Sequence, residues 1–290
     1  RSQPAVKRRM SKWDTVAIIG VGLIGGSIGL ALRSRGLARH VVGIGRTEKT
    51  LRVARRVGAI TRATRDVAAG VKEADVVVAC TPVATVADQI VAAAAACPPG
   101  ALLTDAGSTK AGIVSALSDR LDRQSRFVGS HPLAGGERTG PAEASSDLFD
   151  GRAVVVTPTS RTMPEATQRA EQFWTSLGAR VVEMTPVAHD RAVAAISHLP
   201  HLAAVATAAA VEPQHLELAA TGFQDTTRVA SGDPEMWTQI FMANRDPVLK
   251  ATERLQAVLE RFHAALDQGN AAQLRRILND AKRKRDAVGN

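Results

Sequence analysis

The chain has 290 residues, 45% of them apolar and 22% charged, a globular balance that excludes a disordered or fibrous protein. Its formal charge of +9 sits at the ends: residues 1–12 hold five Lys or Arg and no acid, and residues 271–290 hold six against two. The body is neutral and lacks the basic stripe that nucleic-acid binding requires. The longest uncharged apolar run, Leu202–Val211, is about half the roughly 20 residues that cross a bilayer, and the basic first residues lead into a strand-like segment without the apolar stretch of an export signal. Cys80 and Cys97 form neither a disulfide framework nor a zinc spacing. The expectation is a cytoplasmic protein with no nucleic-acid or membrane partner.

In chain order, β-branched runs at Val16–Ile19, Val41–Ile44, Val76–Ala79, Leu102–Thr104, Phe127–Val128, Ala153–Val156 and Arg180–Glu183 predict strands. Helical periodicity fills the gaps at Ile24–Arg35, Glu48–Val57, Val83–Ala96, Ala111–Leu121 and Pro164–Leu177. This alternation predicts βαβ units around a largely parallel sheet. After Pro186 the strand signal ends, and Ala188–Ala210, Pro213–Ala220, Pro234–Ala243, Pro247–Asp267 and Ala271–Ala287 all read as helices. The fold class is therefore α/β, a Rossmann-type dinucleotide-binding domain over 13–185 followed by an all-helical dimerisation domain over 186–290. A helical domain of that size rarely covers all its apolar faces alone, which predicts a homodimer.

Val16–Ile19 runs into Gly20-Val21-Gly22-Leu23-Ile24-Gly25-Gly26-Ser27, a G-x-G-x-x-G turn between a strand and a helix. Gly20 allows the tight turn, Gly22 lets a pyrophosphate approach the backbone, and Gly25 lets the helix lie close to the sheet. The helix N–H groups of Leu23 and Ile24 then face the phosphates. The second strand ends in Gly45-Arg46-Thr47 with no carboxylate at its tip, so Arg46 favours the 2′-phosphate of NADP over NAD, although Glu48 could still reach a ribose hydroxyl. Thr81-Pro82, after the Val76–Ala79 strand, is placed to meet the nicotinamide ribose. Neighbouring Cys80 reads as a small packing residue.

Three further blocks carry more polar chemistry than packing needs: Thr104-Asp105-Ala106-Gly107-Ser108-Thr109-Lys110; His131-Pro132-Leu133-Ala134-Gly135-Gly136-Glu137; and Ser197-His198-Leu199-Pro200-His201, followed by Gly222-Phe223-Gln224-Asp225-Thr226-Thr227-Arg228. With the glycine turn, they resemble the prephenate/arogenate dehydrogenase family of tyrosine biosynthesis, in order and with compatible spacing from about Val16 to Phe262.

The resemblance implies oxidative decarboxylation of a cyclohexadienol, prephenate or arogenate, with hydride transfer to NAD(P). It makes His131 the partner of the ring hydroxyl and Ser108 the group that helps hold that hydroxyl, with a helix N-cap as Ser108's alternative role. It makes Arg228 the cation for a substrate carboxylate, His201 a pocket residue and Glu137 an acid near the entrance. His198 reads as structural, and a metal between His198 and His201 is not expected, since no third ligand is evident and Pro200 should break the helix between them. Gln224 stands where some members carry a basic residue, so an ion pair at that position does not carry over. No mutase domain is expected ahead of the cofactor half and no regulatory domain behind Ala271. Feedback by tyrosine, where present, would act at the active site or the helical interface.

The alternatives are a β-hydroxyacid-type dehydrogenase and a catalytically silent dinucleotide-binding regulator. The first relies on a lysine in its helical domain, whereas this chain has none between Lys110 and Lys250. The second leaves the joint presence of Ser108, His131 and Arg228 unexplained.

Overall fold

A computed structural model describes residues 12–121, 126–136 and 138–288. Eight strands form one sheet: β1 (Trp13–Ile19), β2 (Ala38–Ile44), β3 (Arg62–Thr64), β4 (Val76–Ala79), β5 (Leu102–Asp105), β6 (Phe127–Pro132), β7 (Ala153–Thr157) and β8 (Arg180–Glu183). Their order is β3-β2-β1-β4-β5-β6-β7-β8, and every neighbouring pair is parallel except β6 with β7. Helices α1 (Leu23–Ser34), α2 (Glu48–Arg56), α3 (Val67–Val71), α4 (Val83–Ala94), α5 (Ala111–Ser118) and α6 (Pro164–Ser176) connect them. The central strands β4 and β5 are buried along their whole length; β4, Val-Val-Val-Ala, accordingly reads as an unbroken apolar run, whereas β5 ends in the buried polar Thr104 and Asp105.

All seven predicted strands are present. The eighth, β3, escaped the sequence reading because it is a three-residue edge strand, Arg-Ala-Thr, with no apolar run. Two apolar layers flank the sheet. One joins Val16, Ile18, Ile28, Leu32, Phe149, Phe173 and Trp174, and the other joins Ala17, Ile19, Val77, Ile90 and Leu103.

Beyond β8 the described chain is helical: α7 (Pro186–Val193), α8 (Leu199–Ala209), α9 (Thr221–Thr227), α10 (Pro234–Ala243), α11 (Arg245–Asp267) and α12 (Ala271–Asp286). Pro213–Leu218, read from sequence as an α-helix, forms a 3₁₀ turn, and α9 was not anticipated. Pro200 does not break the chain's course as expected. Ala194–His198 forms a π-turn in which the Leu199 N–H bonds to the Ala194 carbonyl, so α7 and α8 run on as one helix through the proline.

This continuous helix, Pro186–Ala209, is long and apolar enough to cross a membrane by length and composition alone. Its sequence reads as shorter apolar runs because Ser197, His198 and His201 interrupt it ahead of Leu202. In the fold, one of its faces carries the buried His189, Asp190, His198 and His201, and the helix packs on α5 and β7.

At the carboxyl edge of the sheet Lys110 is fully buried and ion-paired to Asp105. The Asp105 carboxylate also accepts the N–H groups of Gly107 (2.9 Å) and Ser130 (3.0 Å). Removing one partner of a buried pair leaves an uncompensated charge, so Lys110→Met should lower the unfolding free energy by about 3–5 kcal/mol. Adding Asp105→Asn should restore part of that loss. Urea unfolding of the single and double variants measures both effects.

Candidate active site

The order 3-2-1-4-5-6 reverses direction between β1 and β4, and at that point the strand ends open a crevice in sheets of this kind. Here a cavity of about 560 Å³ occupies the crevice. The β1 side contributes Gly22, Leu23 and Ile24, the turn after β4 gives Cys80, Thr81 and Pro82, and the turn after β5 gives Ala106, Gly107 and Ser108. His131 enters from β6, which runs past the last paired residue of β5. The helical half closes the far side with Ser197, His198, His201, Val229 and Trp237.

The glycine turn behaves as its spacing predicts. Gly20 has φ +93°, and a Cβ there would lie 2.6 Å from the Cys80 carbonyl oxygen. A Cβ on Gly25 would lie 2.1 Å from the Gly20 carbonyl oxygen, so only glycine lets α1 cross β1 this closely. Around Gly22 there is open space, and α1 begins without a side-chain cap, which leaves its first N–H groups facing the cavity.

These features fit a dinucleotide pyrophosphate. The buried Thr81 hydroxyl, which has no hydrogen-bond partner among the described residues, fits a ribose contact. Burial and the nearby Asp105 push the Cys80 thiol well up, so it stays protonated and serves as packing.

Arg46 and Thr47 lie off the cavity, beyond the end of β2. Thr47 caps α2 by accepting the Thr50 N–H at 3.2 Å. The Gly45 N–H bonds to the Thr64 carbonyl at 3.2 Å, so the exposed Arg65, next after β3, stands on the strand end beside Arg46. Arg228 is exposed at the end of α9, one residue before the wall residue Val229, and is not itself on the wall. Glu137 lies outside the described residues.

Ser108 faces the cavity and does not cap α5. Asp190, reaching over from α7, takes that place by accepting the N–H groups of Lys110 and Ala111, each at 2.8 Å. His201 stacks on Trp237 with ring centroids 3.5 Å apart and planes 11° apart, and its buried Nδ1 has no hydrogen-bond partner among the described residues. His198, read from sequence as structural, lines the cavity as well, and its Nδ1 meets the Asn244 side-chain amide at 3.1 Å.

The sequence reading missed His189, Asp190 and Asn244. His131 Nδ1 lies 2.8 Å from His189 Nε2, and His189 Nδ1 lies 2.8 Å from Asp190 Oδ1. Asn244 donates to the Asp190 backbone carbonyl at 2.8 Å. The available signal was a His-Asp pair in the first turns of an otherwise apolar helix.

Burial, followed by the neighbouring His189, Lys110 and His198, holds His131 well below the ordinary histidine pKa. Burial likewise lowers His198 to about 4 and lowers His201. For Asp190, burial pushes upward but is outweighed by the hydrogen bonds from His189, Lys110 and Ala111, so its carboxyl sits below the usual range. The cavity is thus lined by neutral imidazoles.

Comparison with known proteins places this geometry. Residues 28–183 match the nucleotide-binding domain of prephenate dehydrogenase, and residues 185–280 match its dimerization domain. The chain belongs to the prephenate dehydrogenase family. It is an NAD(P)-dependent oxidoreductase of tyrosine biosynthesis.

The prephenate dehydrogenase of Bacillus subtilis is 32% identical over 95% of this chain and 76% of its own length. A crystal structure of prephenate dehydrogenase from A. aeolicus, in complex with hydroxyphenyl propionate and NAD+, superposes with a TM-score of 0.88 at 30% identity and covers 95% of this chain and 98% of that one. Synechocystis arogenate dehydrogenase superposes at 0.80, also with 30% identity, over 94% and 99% of the two chains.

The two glycines separate packing from ligand contact. Gly25→Ala should cost about 1–3 kcal/mol through overpacking. Gly22→Ala should leave the urea midpoint unchanged while weakening dinucleotide binding at least about tenfold, because its methyl group projects into open space beside the helix N-terminus. Unfolding and fluorescence titration of both variants check the contrast.

Proposed function

We propose that this chain oxidatively decarboxylates prephenate or arogenate with NADP as its preferred acceptor, and that His131 is the base. The observation that carries the reading is the single cavity shared by the dinucleotide turn, Ser108 and His131. When bound, the nicotinamide supplies a hydride acceptor. The α1 N-terminus and Gly22 hold the pyrophosphate, and Thr81 meets the ribose. Ser108 and His131 engage the ring hydroxyl.

A neutral imidazole is the form that can take the hydroxyl proton, and the low pKa of His131 keeps it in that form. Arg228, beside the wall at Val229, is the cation proposed for the substrate carboxylate. His201, fixed against Trp237, lines the ring pocket.

Kinetics test these roles. His131→Ala should lower kcat by about 10²–10⁴ with little change in KM. Protonation removes the base, so wild-type kcat should hold as pH falls through about 6.5, the ordinary histidine value, and drop only below it. The charged and titratable groups around His131 are Asp105 at the end of β5, Lys110 just before α5, His189 and Asp190 on α7, and His198 on the π-turn. An acid limb at or above pH 7, or a His131→Ala enzyme of near-normal turnover, would overturn the assignment.

The NADP preference is supported by Arg46, with Arg65 beside it on the neighbouring strand end. Arg46→Ala should cut kcat/KM for NADP by about 10–100-fold more than for NAD, the size of one charge-assisted phosphate contact. A matrix of both substrates against both dinucleotides checks this and selects between prephenate and arogenate.

The proposed assembly is a homodimer through the helical half, in a cytoplasmic setting that the free Cys80 and Cys97 suit. Among the described residues all the exposed large apolar side chains lie from Val187 onward, including Ile196, Leu218, Met242, Leu259 and Leu266. Sedimentation at micromolar concentration should show a dimer, and Leu259→Glu with Leu266→Glu should shift it toward monomer.

A further inference from the structure

Behind the cavity wall lies a run of buried side chains that the proposed chemistry leaves idle. It begins at His131 and continues through His189 and Asp190, both within the interior, to the start of α5. We propose that His189 and Asp190 make His131 one half of a two-imidazole unit, fixing which His131 nitrogen faces the substrate and holding the hydroxyl proton between the two halves of the reaction. The inference rests on His131 being the base.

The argument follows the hydrogens. The Asp190 carboxylate accepts N–H groups from Lys110 and Ala111 and has no hydrogen to give. The 2.8 Å contact with His189 is therefore donated by His189 Nδ1. In the neutral His189 ring, Nε2 is then the lone-pair nitrogen. The 2.8 Å contact between the imidazoles must be donated by His131 Nδ1. His131 is left with its lone pair on Nε2, the nitrogen that His189 does not engage. The rings meet edge to face, with centroids 5.0 Å apart and planes at 72°, which holds the bond in line while the fold keeps His189 from rotating.

Such a unit suits the reaction, which releases no net proton and so must return the one it takes. When bound, the oxidised nicotinamide would take the hydride, and on the substrate the hydroxyl loses its proton as the ring carbon becomes a carbonyl. The bond to the ring carboxylate then breaks, carbon dioxide departs, and the electron pair moves through the ring to that oxygen, which must take a proton back to give the phenol. In the first half His131 Nε2 accepts the hydroxyl proton while the hydrogen on Nδ1 shifts to His189 Nε2. The imidazolium so formed lies against the Asp190 carboxylate. In the second half the same shifts run in reverse and deliver one proton to the ring oxygen.

The tests use the full-length holoenzyme. Nitrogen-15 NMR of histidine-labelled wild type, assigned with His131→Asn, should show His131 protonated on Nδ1 and bare on Nε2. His189→Phe should lower kcat at least about a hundredfold, with substrate KM and dinucleotide affinity within about threefold of wild type. His189→Gln, whose carbonyl can accept the Nδ1–H bond but cannot take a proton, should restore the His131 tautomer and little of the rate. A wild-type His131 protonated on Nε2 overturns the proposal even if the variants do not fold. So does a His189→Phe enzyme within threefold of wild-type kcat, or one that loses dinucleotide affinity as steeply as rate. Retained activity in His131→Ala would instead defeat the underlying assignment of the base.

Discussion

The Asp190 carboxylate is the interaction on which the two halves of this protein converge. It lies on the first helix after the sheet, yet its oxygens cap α5, a helix of the sheet half, and anchor His189 in the same stroke. Its backbone carbonyl is held by Asn244 from the α10–α11 junction, and that amide also touches His198. A helix N-terminus carries partial positive charge and unpaired N–H groups, so a buried carboxylate there is stabilised even though burial alone would oppose it. The orientation of the histidines is thus tied to the docking of the helical half on the sheet half.

A second buried carboxylate, Asp105, works from beneath. It neutralises Lys110, receives the turn at Gly107 and holds the backbone of Ser130, the residue before His131. The network is costly to interrupt because each member satisfies several others in a medium that screens poorly. Its effect on the cavity is electrostatic as well as mechanical. With Lys110 paired and the imidazoles desolvated, the wall around His131 carries few free charges.

Much of this was legible in the sequence, for identifiable reasons. The glycine turn is local chemistry: Gly20 needs a positive φ and Gly25 a missing side chain, and both demands are written in the spacing. Ser108, His131 and His201 lie in blocks whose polar content exceeds what packing requires, and all three face the cavity. His189, Asp190 and Asn244 left no such trace, because their meaning depends on partners up to 80 residues away. The π-turn at Ala194–His198 was equally hidden. It lets the helix continue past Pro200, which was expected to disrupt it, so His198 and His201 line one cavity wall. Arg228 shows the reverse limit, since its block was conspicuous while its side chain is exposed at the end of α9.

The reversal of one strand also shapes the site. Because β7 runs antiparallel to β6, with Pro132 opposite Val154, the chain between them begins and ends at the carboxyl edge of the sheet. A parallel crossover would have carried it to the opposite edge. Instead Ala134, Gly135, Arg138, Thr139 and Gly140 stay over the cavity. Further along, Ser145 donates its N–H to Ser27 of α1 at 3.0 Å, fastening this stretch to the helix that starts at the glycine turn. Strand polarity, a topological property with no chemistry of its own, turns an open crevice into a roofed chamber whose ceiling is anchored to its floor.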